Sequence, residues 1–78
     1  MPENFVVELT PLNTRGKLDY GMNVLVDIAA ESEIDAIMHA FWTRNIPTNW
    51  IVTCVISDET ETQHNLSYHG AMRISQRV

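Results

Sequence analysis

The chain is poor in the residues that carry redox and metal chemistry. It holds one cysteine, Cys54, so no internal disulfide forms and no Cys-based metal framework exists. A single thiol fits a reducing compartment. Positive charge is scarce, with five basic side chains against ten acidic ones and a net charge of −5. Arg15, Lys17, Arg44, Arg73 and Arg77 are scattered along the chain. A basic patch, which supplies most of the affinity for nucleic acid, is missing. Anionic membrane surfaces are disfavoured for the same reason. No apolar run approaches the roughly 18 residues that a membrane span needs. The opening "MPENFVVEL" lacks the basic segment and apolar core of a secretory signal. The expected location is the cytoplasm. Glycine is sparse and isolated, at Gly16, Gly21 and Gly70, which excludes a glycine-rich phosphate loop.

What is present describes an ordinary small globular chain. Apolar residues make up 45% and charged residues 19% of 78 positions, a composition that folds. This length gives a single domain over 1–78. A domain of this size buries only about 60% of its unfolded surface, so its stability is marginal and association would add to it.

Periodicity divides the chain into five elements. Residues 4–10 alternate weakly, with Phe5, Val7 and Leu9 on one side, and Pro11 ends or edges the strand. "PLNTRGK" carries turn residues. Residues 17–29 alternate throughout, with Leu18, Tyr20, Met22, Val24, Val26 and Ile28 on one face, predicting a long half-buried strand. The period then changes. Ile34, Ile37, Met38 and Phe41 follow helical spacing, Ser32 is placed as an N-cap with Asp35 three residues on, and the helix is predicted over 32–45. Strands follow at 49–57 and 64–75, joined by the polar "SDETETQ".

The expected fold class is therefore α+β, in the order β-β-α-β-β: a four-stranded, mainly antiparallel sheet with one helix packed on one face. Two strand orders fit. One places the first and last strands centrally, as in β-grasp and protein G-like domains; the other makes the third strand internal.

The stretch "WIVTCVI" is apolar on both sides of a strand. If Trp50, Val52, Cys54 and Ile56 face the helix, then Ile51, Thr53 and Val55 face away with Val6 and Leu25. One helix cannot cover both faces. Burying each Val, Leu or Ile is worth roughly 1.5–3 kcal/mol, comparable in sum with the whole stability of a small domain. The open sheet face or the third strand's edge is thus the expected docking surface for another protein chain, a second copy or a foreign one. Asp58, Glu59 and Glu61 in the last turn offer an acidic interaction edge that steers a basic partner. Trp42, at the margin of the helical stripe, is either core or a binding anchor.

Chemistry finds few candidates. His64 and His69, five apart in a strand, point to opposite faces and do not share a metal. Asp58, Glu59, Glu61 and His64 lack the spacing of an EF-hand loop. Cys54, placed among Val52, Ile56 and Trp50, is an inert thiol with no identifiable base. Asp19 and Asp27 lie about 26 Å apart along one strand, too far for an acid/base pair. No catalytic residue, metal or cofactor is assigned. The leading expectation is a small acidic protein-binding module without catalysis, acting as an accessory subunit or as an inhibitor of the kind phages direct at host proteins. A single-stranded nucleic-acid binder, which needs exposed aromatics and cations on the open face, and a small ligand-binding or enzymatic domain are the alternatives.

Overall fold

The computed structural model describes residues 2–43, 46–47, 49–58 and 60–75, apart from the side chains of Thr43 and Ser75. The chain runs through β1 (Glu3–Pro11), a 3-10 turn (Tyr20–Met22), β2 (Val24–Ala30), α1 (Glu33–Thr43), β3 (Trp50–Ile56), β4 (Glu61–Ser67) and α2 (Tyr68–Ser75). The four strands form one sheet in the order β2-β1-β3-β4, with every neighbouring pair antiparallel. The fold is α+β, and of the two orders open to the sequence it takes the one with β3 inside.

Local chemistry places the elements. Asn13 closes the β1–β2 loop: its Oδ1 accepts from the backbone N–H of Arg15 and Lys17, and Gly16 supplies the positive φ of 74° that the turn requires. Ser32 caps α1, its hydroxyl accepting from Asp35 N–H at 3.2 Å. The Asp35 carboxylate reaches back to Glu31 N–H at 3.1 Å. The helix ends where Ile46 N–H bonds to the Phe41 carbonyl. Ser57 and Thr60 pair through backbone and hydroxyls to close the β3–β4 turn.

α1 lies over β2 and β1 and reaches β3 only lightly. Ala36, Ile37, Met38, Ala40 and Phe41 meet Phe5, Val7, Leu9, Val26 and Ile28 in the core. The remaining cover comes from α2, which packs on α1 and β4. This corrects the expectation of a strand over 64–75. The strand stops at Ser67, whose hydroxyl accepts from Gly70 N–H at 3.1 Å and so caps a second helix. Tyr68, Ala71 and Met72 face the core at helical spacing. As a strand, the stretch puts Tyr68, Met72 and Ile74 on one face and Ala71 on the other, and the cap decides for the helix. The strand over 17–29 is likewise shorter than expected. Tyr20 and Met22 lie in the 3-10 turn, 59% and 63% exposed, and only Val24–Ala30 pair in the sheet.

A second correction concerns β3. Glu8 pairs with Cys54 and Leu9 with Val52, so Thr53 is an extra residue in β3 relative to β1. This β-bulge reverses the facing of the strand beyond it. Val52 and Val55 both lie in the helix-side core, whereas Cys54 and Ile56 pair with Glu8 and Val6 on the open side. Val55 therefore does not face away from the helix, and Cys54 and Ile56 do. β3 is also no edge, being paired on both sides.

Two outcomes follow, both read by chemical denaturation. Val55→Asp places a charge in the core and abolishes folding, whereas Ile56→Thr, on the half-buried open side, costs about 1 kcal/mol. Ser67→Ala loses the α2 cap and about 1 kcal/mol, and Ser67→Asp restores it; a strand at 68–75 would show neither effect.

Candidate functional site

The face of the sheet away from the helices is organised in rows across the strands. Asp27, Val6, Ile56 and Glu61 form one; Leu25, Glu8, Cys54 and Gln63 the next; Thr10, Ile51 and Ser67 a third. Every charged side chain in these rows is acidic.

The middle of this face is closed by its own polar side chains. Thr53 Oγ1 donates to Glu8 Oε1 at 2.5 Å, and Asn23 Nδ2 donates to Glu8 Oε2 at 3.0 Å. The Thr53 proton is thereby committed, so the 2.9 Å bond between the threonine hydroxyls is donated by Thr10. Thr10 and Thr53 are 0% and 3% exposed, and no buried side-chain N or O among the described residues is left unpaired. Glu8 is thus a structural acceptor with both oxygens engaged.

Cys54 sits beside this network. Its thiol lies 3.8 Å from Glu61 Oε1 and 3.7 Å from Gln63 Nε2. Burial, followed by the negative charges of Glu61 and Glu8, holds the thiol above its ordinary value. It stays protonated near neutral pH, and neither flanking carboxylate favours a thiolate.

The residues singled out by the sequence are therefore dispersed. Ile51 and Thr53 keep the open side but are buried within the chain, at 8% and 3% exposure. Val6 is half-buried beside Ile56, and Leu25 is exposed at the sheet's flank. Val55 is in the core. Asp58 is exposed beside Glu3, Ser57 and Thr60, and Glu59 lies outside the described residues. Glu61 turns onto the open face, while His64 turns to the helix side and pairs with Glu33 at the start of α1. The acidic turn and His64 do not converge. Among the described residues no three His, Cys, Asp or Glu side chains gather as metal ligands, and no helix is long and apolar enough to cross a membrane. Arg73 and His69 lie on α2 rather than on the sheet. Trp42 is exposed on α1, its indole N–H 3.5 Å from Tyr68 Oη.

One surface was missed. Among the described residues, four of the six exposed large apolar side chains, Tyr20, Met22, Val24 and Leu25, fall together where the 3-10 turn enters β2; the others are Trp42 and Ile74. Beside them, Val24, Leu25, Val26 and Ile46 line a shallow hollow of about 270 Å³. Val24 is the last residue that β1 pairs, opposite Leu9, so Tyr20 and Met22 fall beyond the ladder. Comparison with protein-family models, curated proteins and solved structures finds no match.

Native Cys54 should resist alkylation by iodoacetamide at pH 8 and react once the chain is unfolded. Glu61→Gln removes the nearer negative charge and speeds native labelling. Equal rates in the native Glu61→Gln protein and wild type would contradict the placement of Glu61 beside the thiol.

Proposed function

We propose that this protein is a small acidic protein-binding module, without catalysis, that acts as an accessory subunit or inhibitor of another protein. The observation that carries this reading is the clustering of Tyr20, Met22, Val24 and Leu25 at one flank of the sheet. Scattered exposed apolar residues need no explanation, but four within the six positions 20–25, beside a hollow, do. The acidic open face, with Asp27, Glu8 and Glu61 and no Lys or Arg among its described residues, favours a basic partner and faster encounter with it.

Nucleic-acid binding has less support. The described residues of the open face offer neither an aromatic for stacking nor a cation for phosphate. Catalysis has less still, because Glu8 is fully engaged and the Cys54 thiol is held protonated.

The immobilised chain, set against a folded Met22→Ser/Leu25→Glu double mutant, tests the reading. Wild type should retain a specific protein from its native lysate, and the double mutant should lose it at least about tenfold, one step of 1.4 kcal/mol. Equal retention by the two proteins, together with a wild-type chain that is monomeric by light scattering, would overturn it.

A further inference from the structure

The two edges of the sheet differ. β4 is polar, carries Glu61 and runs in an interrupted register against β3. Such irregularity and charge protect an edge from further pairing. β2 has neither protection in full. Its seven residues, VLVDIAA, pair one-to-one with β1 without a bulge, and Asp27 is their single charge. Among the described residues no backbone hydrogen bond reaches β2 from any strand but β1. Half of its N–H and C=O groups therefore point outward along a regular, apolar edge.

We infer that the free edge of β2 accepts an added β-strand from a partner protein, an extended segment with apolar residues in alternation and a lysine or arginine set opposite Asp27. This deepens the protein-binding reading and rests on it. An added strand lies about 4.8 Å from β2 and turns alternate side chains to the two faces. On the helix side, its apolar residues continue the row of Val24, Val26 and Ile28 and enter the hollow roofed by Ile46. On the open side, one residue covers Leu25 and the next in that row meets Asp27. Asp27 is exposed and forms no hydrogen bond or ion pair among the described residues. A cation opposite it gains a cross-strand charge pair, and a carboxylate there is repelled.

The same charge argues against a second copy of this chain. A two-fold pairing that uses the whole of β2 centres on Asp27 and sets the two carboxylates against each other. Moving the centre to Val26 relieves the clash but leaves Ala29 and Ala30 outside the ladder. Each copy also brings a net charge of −5.

The probe is a fluorescent, end-blocked heptapeptide alternating valine and threonine around a central lysine, measured by anisotropy. Its companions carry glutamate at the centre, or backbone N-methyl groups on one or the other alternate set of residues. Wild type should bind the lysine peptide at least tenfold tighter than the glutamate peptide. Asp27→Lys should reverse that preference, and Asp27→Asn, a milder change, should flatten it. One N-methylated set should abolish binding while the other leaves it intact, because only alternate N–H groups face β2. Failure of the lysine peptide to bind, a preference indifferent to residue 27, equal behaviour of the two methylated sets, or a stable dimer paired through β2 would each overturn strand addition. If the capture experiment still retains a partner through Met22 and Leu25, strand addition alone falls; if capture fails as well, both readings fall.

Discussion

The sheet depends on the extra residue at Thr53. A regular β3 would send Val52 and Val55 to opposite faces, because side chains alternate. The bulge lets both meet the helices, opposite Leu9 and Val7 of β1. An extra residue in a central strand leaves backbone and side chain to be accommodated inside the sheet. Here the accommodation is polar: Thr10 donates to Thr53, Thr53 to Glu8, and Asn23 holds the other Glu8 oxygen. Hydrogen bonds in such a chain polarise and strengthen one another, and a partly satisfied version would be costly where Thr10 and Thr53 are buried. Through Asn23, the residue just before β2, Glu8 also ties the bulge to the exposed flank.

The helical layer completes what the bulge begins. α1 spans β2 and β1 and leaves the β3–β4 side thinly covered. α2 fills that side with Ala71, Tyr68 and Met72, and Phe41 and Tyr68 meet edge to face with centroids 5.6 Å apart. His64 and Glu33 link β4 to the first turn of α1 across the same seam. With both helices in place, the chain shelters most of its hydrocarbon itself. Four of the six large apolar side chains left exposed among the described residues lie where β2 begins, and the regular β2 edge with its single charge, Asp27, is what the proposed basic, extended partner would meet.

The legibility of these features tracks how local their causes are. The α1 cap was visible as Ser32 and Asp35, because capping is settled within one turn. The β1 core face was visible as Phe5, Val7 and Leu9, because a regular strand keeps its parity. The placing of Val55 was not legible: the bulge is a relation between β1 and β3, and nothing within "WIVTCVI" states how many residues of one strand oppose those of the other. The end of β4 was ambiguous because Tyr68, Ala71 and Met72 sit in a stretch that fits both a strand and a helix. Of the surface residues named from sequence, Leu25 and Trp42 are exposed. Ile51 and Thr53 are buried by neighbours that only strand pairing supplies.

By itself, the sequence determined the α+β composition, the start of α1, the turn at Asn13–Gly16, and a negative charge with almost no reactive chemistry. These follow from short-range spacing and residue type. Tertiary structure decided the strand order, the reversal of facing at Thr53, the helical end at 68–75, and which apolar side chains stay wet. Those depend on register between segments distant in the chain, where a shift of one residue exchanges the inner and outer faces of a strand.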